Sequence, residues 1–273
     1  MNSHAHDLTE SSLFERTATA FWSLGASISA QAGFEIVHHP TAPGHALGNF
    51  ITRVRDRAAA SAIVTDHSTA LPARLVIDTD TPPPVEAAVA LADWTVEHLL
   101  LLALPATTTI PEPHGLDTRA AEGDADWQAI EHLFRIDHLE EDARHGVPAR
   151  PLEQTRAAVD LRRALGPGVD YLLAERDGAT VSTIAVWVSG EGIGVIEDVF
   201  VHPRQRGMGT ATQMLRHAVA RARARGAGSI MIGAEADDTP KHLYHAFGFR
   251  PVGVQRSYTH PASAKQPAPE PTS

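Results

Sequence analysis

The segment Arg204-Gln205-Arg206-Gly207-Met208-Gly209-Thr210 sets two cationic side chains beside two glycines one residue apart, followed by a small hydroxyl residue that opens a helical pattern. Glycines carry no Cβ, so consecutive backbone N–H groups can approach an anion closely. A helix N-terminus adds unsatisfied donors and the positive end of its dipole. A loop of this kind suits a pyrophosphate held on main-chain amides, with Arg204 and Arg206 adding charge. It lacks the Gly-Lys-Ser/Thr ending of a nucleotide P-loop, and its glycine spacing does not match a dinucleotide-binding turn. Taken alone, a glycine pair at a helix start is a weak sign, also met where no ligand binds.

The elements that must position this loop begin after Pro105 to Gly115, where three prolines and Thr107-Thr108-Thr109 interrupt the apolar pattern. A short strand is expected over 116–121. Asp124 or Asp126 can then cap a helix that turns Trp127, Ile130, Leu133, Phe134 and Ile136 toward a core. A second helix over 151–165 ends at Gly166-Pro167-Gly168. Segments 171–175, 181–188 and 194–201, separated by turns at Asp177-Gly178 and Gly190 to Gly192, read as an antiparallel meander. A helix over 208–225 carries Ala211, Met214, Leu215, Ala218 and Ala222 on one stripe and stops at Gly226. A buried strand over 229–234, a short helix over 241–247 ended by Gly248, and a closing strand or pair over 249–258 complete the order.

In this setting the loop resembles the signature of the GNAT superfamily of acyl-CoA N-acyltransferases, Arg/Gln-x-x-Gly-x-Gly/Ala between the fourth strand and the third helix. Arg204, Gly207 and Gly209 occupy its defining positions. The preceding Glu197-Asp198-Val199-Phe200-Val201-His202-Pro203 is similar to that fourth strand. Leu243-Tyr244-His245-Ala246-Phe247-Gly248-Phe249 resembles the family's Leu-Tyr-x-x-x-Gly-Phe motif. The resemblance covers about Leu116 to His260. It implies an α/β (α+β) fold, with a mixed, mostly antiparallel sheet flanked by helices, and acetyl-CoA as co-substrate. The pantetheine arm would lie between strands 194–201 and 229–234, on backbone groups of Val199, Phe200 and Val201. Amides from Arg204 through Gln205, Arg206, Gly207, Met208 and Gly209 to Thr210 would bind the pyrophosphate.

The resemblance further implies a direct attack by an amine on the thioester. An alkylamine of pKa about 10.4 is almost wholly protonated at neutral pH, so a proton acceptor helps. Glu197, on the binding strand, is the preferred base, and its neighbour Asp198 is expected on the opposite face of a regular strand. Tyr244 matches the tyrosine that protonates the departing thiolate in many relatives. The acceptor is expected to be a primary amine of a small molecule. A peptide or protein N-terminus, or a regulatory module that binds acyl-CoA without transfer, are the alternatives.

Composition narrows the rest. The chain has 273 residues, of which 43% are hydrophobic, and no cysteine, which excludes a disulfide framework, a thiolate metal site and a cysteine nucleophile. A formal charge of -10 disfavours nucleic acid and favours a cationic amine. No secretory signal or apolar run long enough to span a bilayer is visible, so a cytoplasmic protein without a membrane partner is expected. No metal is expected, since the histidines show no ligand spacing. The acidic run Asp137 to Asp142 reads as a solvated helix end, and Arg216, Arg221, Arg223 and Arg225 as the wet face of a helix.

Residues 1–110 carry no catalytic constellation. A strand over 74–77, a turn at Thr81 to Pro84, a helix over 85–93 and a strand over 96–104, with Trp94 in place of Gly-Phe, resemble the last third of the same fold without its loop. An accessory domain over 1–110, either a degenerate GNAT-like unit or a plain α/β domain, a catalytic domain over 115–260 and a disordered tail over 261–273 are therefore expected. The N-terminal half would shape the acceptor site or mediate homodimerisation.

Overall fold

The computed structural model describes residues 3–65 and 71–261 of the chain, and the tail expected to be disordered lies almost wholly outside the described residues. The N-terminal half contains α1 (Ser3–Trp22), β1 (Ser27–Gln31), β2 (Phe34–His38), β3 (Phe50–Thr52), α2 (Ala59–Thr65), β4 (Arg74–Ile77), α3 (Pro83–Leu91) and β5 (Thr95–Leu104). The C-terminal half contains β6 (Thr118–Ala120), α4 (Asp124–Arg144), α5 (Leu152–Ala164), β7 (Asp170–Arg176), β8 (Ala179–Val188) and β9 (Gly194–Val201). A 3-10 turn (Pro203–Gln205), α6 (Thr210–Ala224), β10 (Ile230–Glu235), α7 (Pro240–Phe247) and β11 (Arg250–Thr259) follow. The element order expected for this half is present. None of the described helices is long and apolar enough to cross a membrane.

The two halves repeat one plan. β1, β2 and β3 pair antiparallel, and β3 pairs parallel with β4 across α2. Likewise β7, β8 and β9 pair antiparallel, and β9 pairs parallel with β10 across α6. Each half then closes with a short helix, one left-handed residue, a buried aromatic ring and a long strand. Asp93 (φ 59°) and buried Trp94 lead into β5, as Gly248 (φ 128°) and buried Phe249 lead into β11. The positive φ at each junction turns the chain sharply enough for the ring to enter the core beside the helix it has just left.

The halves nevertheless share one eleven-stranded sheet, in the order β1-β2-β3-β4-β11-β5-β10-β9-β8-β7-β6. The closing strands are exchanged. β5 pairs antiparallel with β10 of the C-terminal half, and β11 pairs antiparallel with β4 of the N-terminal half. Between them β5 and β11 run antiparallel from Thr95–Thr259 to Ala103–Arg250. β5 is apolar on both faces at its end because it is a central strand. Leu102 and Leu104 enter the core under α6 and α7, while Leu101 and Ala103 meet Phe14, Ala18 and Phe21 of α1 on the other face. The i, i+4, i+7 spacing of those three α1 residues is the amphipathic pattern of a helix with one buried face.

The exchange ties the stability of the two halves together. A fragment of residues 115–261 would lack the strand between β10 and β11, leaving both with bare edges. It is expected to show no cooperative thermal unfolding by circular dichroism, and mixing with a 1–110 fragment should restore it. A lone 115–261 fragment with a native-like melt would contradict this.

Candidate active site

β9 and β10 pair only from Gly194–Ile230 to Ile196–Ile232, although both strands continue beyond that point. The parting coincides with a bulge in β9. Its pairing with β8 jumps from Ala185–Glu197 to Thr183–Phe200, so Asp198 and Val199 together oppose Ile184, and Asp198 has φ 53°. This overturns the expectation that strand alternation sends Glu197 and Asp198 to opposite faces. The extra residue breaks the two-residue period, and both carboxylates line the same cavity.

Within that pair the two side chains differ in what holds them. Asp198 is saturated: Arg162 donates from Nε (2.9 Å) and Nη2 (2.8 Å) to its two oxygens, and the Tyr171 hydroxyl donates to Oδ2 at 2.7 Å. Arg162 and Asp198 are only 8% and 7% exposed. The guanidinium also lies over the rings of Phe134 (4.5 Å) and Trp22 (5.3 Å), which brings α1 of the N-terminal half to the bulge. Glu197 has no hydrogen-bond partner among the described residues. Burial, and next the charge of Asp198, push its carboxyl up to about 8 against the opposing pull of Arg162. Nearby His45 and His138 are both brought down to about 4, chiefly by burial and then by Arg162 and Arg150 respectively.

The cavity at the bulge has a volume of about 710 Å³ and lies between the halves. Its floor is Val96 to Leu99 of β5 with Gln255 and Ser257 of β11, its walls include Thr19, Trp22, Phe50 and Arg74 of the N-terminal half, and Glu141, Glu235 and Asp237 stand at the C-terminal side. Burial, and then the neighbouring acids Glu141, Asp238, Asp237 and Glu97, raise the Glu235 carboxyl. A second hollow of about 350 Å³ adjoins it at Asp198, Val199 and Phe200, beneath Asp137 and His138 of α4. Burial and the carboxylates Glu141 and Glu140 raise Asp137 to about 6.

The glycine-rich loop leaves β9 at the far end of the bulge. Gly207 (φ 75°) and Gly209 (φ 77°) are left-handed, and a Cβ at either would project into open space, so the backbone there is bare toward solvent. Gly209 thereby delays α6 to Thr210, two residues later than its apolar stripe suggests. Among the described residues the backbone N–H groups of Gly207 through Thr212 meet no acceptor. The Thr210 hydroxyl closes the loop by donating to the Gln205 carbonyl at 3.1 Å, and Arg176 fixes the Gln205 side chain at 2.7 Å.

The two loop arginines part company. Arg204 is exposed, whereas Arg206 is engaged with the Val201 carbonyl (3.0 Å) and with both oxygens of Glu140 (3.2 and 2.6 Å) on α4. The run Asp137 to Asp142 is therefore no solvated helix end. Asp142 is buried and accepts from Arg150, Glu141 pairs with the same arginine, and Glu140 anchors the loop. The α6 arginines also have partners, since Arg221 and Arg225 both bind Asp170 and Arg223 donates to the Thr108 carbonyl. These ion pairs join segments distant in sequence, which local composition does not register.

Tyr244 is 5% exposed in the core under α6 and α7, in contact with Phe249. Burial first, and the charge of Glu197 next, raise its phenol above the ordinary value, so the group is protonated at neutral pH. The charge of Glu197 thus reaches Tyr244, although Tyr244 is not among the residues that line the two hollows. Arg74, Trp22 and the other N-terminal residues at the cavity were not foreseen from the sequence, because no motif marks them.

Residues 127–249 match the sequence profile of the Acetyltransferase (GNAT) family. No curated protein matches the chain by sequence. Among solved structures it is similar to a GCN5-related N-acetyltransferase from Kribbella flavida, with 20% identity, a TM-score of 0.60, and coverage of 90% of this chain and 95% of that one. A functionally unknown conserved protein from Staphylococcus epidermidis ATCC 12228 matches with 12% identity, a TM-score of 0.61, and 86% and 94% coverage. A tandem GNAT protein from the clavulanic acid biosynthesis pathway matches with 14% identity, a TM-score of 0.52, and 83% and 77% coverage. The match to the GNAT acetyltransferase family lies in residues 127–249, and the similarity of fold extends through the N-terminal half.

Two measurements probe the energetics of the site. Arg162→Ala strands the buried Asp198 carboxylate and is expected to cost about 3–5 kcal/mol in urea unfolding, against no change if the pair were solvated. The Glu197 carboxyl, raised from 4.5 to about 8, binds its proton more tightly folded than unfolded. Its stabilising contribution is full below the unfolded pKa and is lost as pH rises through about 8. The difference in stability between wild type and Glu197→Gln should therefore vary across that window, and parallel pH curves would contradict the shift.

Proposed function

We propose that the protein transfers an acetyl group from acetyl-CoA to a primary amine of a small molecule. The observation that carries this reading is the bulge at Asp198, which neutralises one carboxylate with Arg162 and leaves Glu197 unpartnered in a large cavity lined by further acids. When bound, acetyl-CoA supplies an acyl group activated as a thioester. Its fit is supported by the bare amides from Gly207 to Thr212, the open space over the two left-handed glycines, and the parting of β9 from β10 beside Val199, Phe200 and Val201. In this reading the amides hold the pyrophosphate, Arg204 adds charge at its edge, and Arg206 acts by tying the loop to α4.

On the acceptor side, Glu197, Glu235 and Asp237 attract an ammonium ion. Glu197 takes the proton that must leave before the nitrogen lone pair can attack. A carboxylate with a pKa near 8 is far better matched to an ammonium than an ordinary one, because the gap the proton must cross is smaller. Tyr244, held protonated by burial, gives a proton to the departing sulfur. The bulge and the loop contribute position and the buried charges contribute electrostatics, the two means by which a protein accelerates such a transfer.

Isotope-labelled acetyl-CoA offered to an amine library is expected to label at least one small primary amine, and binding without transfer to any acceptor would refute the reading. With that acceptor, kcat/KM should rise with pH to a plateau above about 8, the pKa of Glu197. Glu197→Gln should remove this limb and lower kcat about 100-fold, the scale of general-base catalysis. Tyr244→Phe should lower kcat with little change in KM.

A further inference from the structure

Arg74, on β4 of the N-terminal half, faces the same cavity as Glu197 but from its other end. Its side chain is only 16% exposed, yet the protein does little to answer its charge. Nη2 donates to the Ser257 hydroxyl at 3.1 Å, Nε is enclosed without any acceptor, and Nη1 has no partner among the described residues. The nearest carboxylate, Glu97, is 4.0 Å from Nη2, is 62% exposed, and is itself engaged by the Ser257 hydroxyl at 3.3 Å. Arg162 and Arg256 show what the same group does when satisfied, each clasping one carboxylate through Nε and Nη2. A largely buried guanidinium left this open calls for an anion.

We propose that Arg74 binds a carboxylate of the acceptor, so that the substrate is an elongated molecule with a primary amine at one end and a carboxylate at the other. The proposal rests on the amine-acetylating reading above for its amine end only. β4 and β9 are four strand steps apart in the sheet. That is about 19 Å at some 4.8 Å per step, and after the reach of both side chains roughly 10 Å remains for the ligand to span. The charge around the cavity sorts the ends. Glu197, Glu235 and Asp237 have no ion-pair partner among the described residues and stand at the C-terminal side, where an ammonium belongs. Arg74 is the cationic group at the N-terminal side, since Arg162 is spent on Asp198. A monoanionic carboxylate suits this place better than a dianionic phosphate, which would meet the repulsion of Glu97 twice over.

The test uses the full chain with CoA or acetyl-CoA and ω-aminoalkanoates of graded length, their primary amides, diamines and aminoalkyl phosphates of matched length. Calorimetric binding and acetyl transfer are both read. Tighter binding of the carboxylate than of its amide, by about tenfold or more at the best length, is expected, as a charged hydrogen-bonded partner provides. Arg74→Gln should bring that ratio to about one, Arg74→Lys should retain part of it, and Glu97→Gln, which removes a competitor, should raise carboxylate affinity. The Glu97 effect has the opposite sign, so damage to the fold cannot mimic it. Equal affinity for acid and amide, preference for the diamine or phosphate, or no binding of any of them overturns the proposal. Carboxylate-selective binding without transfer would leave Arg74 standing and sink the acetyltransferase reading, while transfer without acid preference would do the reverse.

Discussion

The antiparallel pairing of β5 with β11 is the contact on which the rest of the molecule depends. Each strand belongs by chain order to one half and by hydrogen bonding to the other, so the eleven strands form one sheet and neither half has an edge of its own at the centre. The pairing explains why β5 ends in residues buried on both faces, and why α1, the first helix of the chain, packs over strands of the second half. It also forms the floor of the large cavity, whose walls come from opposite ends of the sequence.

On that frame a single extra residue in β9 brings Glu197 and Asp198 to one cavity. The bulge at Asp198 costs a left-handed residue and a broken ladder, and the Arg162 clasp offsets it with three charge-assisted hydrogen bonds to one buried carboxylate, counting that from Tyr171. The result is an asymmetric acid pair. One member is clasped by Arg162 and Tyr171; the other is pushed toward neutrality by burial beside it. Two adjacent carboxylates on a regular strand would face different environments and would not influence one another in this way. The same arginine stacks on Trp22, so the arrangement of the site is linked to the N-terminal half.

Much of the C-terminal half was legible in the sequence because its signals are local. Gly207 and Gly209 announce a backbone conformation, the stripe from Ala211 to Ala222 announces a helix face, and Gly248-Phe249 announces a helix end followed by a core ring. Even the N-terminal echo at Trp94 was visible, since a helix followed by a buried aromatic leaves its mark within a few residues. Misreadings fell where partners are far apart in sequence. The acids of α4 and the arginines of α6 look like wet helix faces until Arg150, Arg206, Asp170 and Thr108 are brought against them.

The sequence by itself therefore determined the family resemblance, the order of elements in the second half and the place of the glycine-rich loop, because each is encoded in contiguous residues with a fixed period or a required φ. Only the tertiary structure decided which strands exchange, that Glu197 and Asp198 share a cavity, and that Arg74 stands opposite them. Those facts depend on hydrogen-bond register and on one bulged residue, and register is settled by the competition among all strands for partners rather than by any one segment.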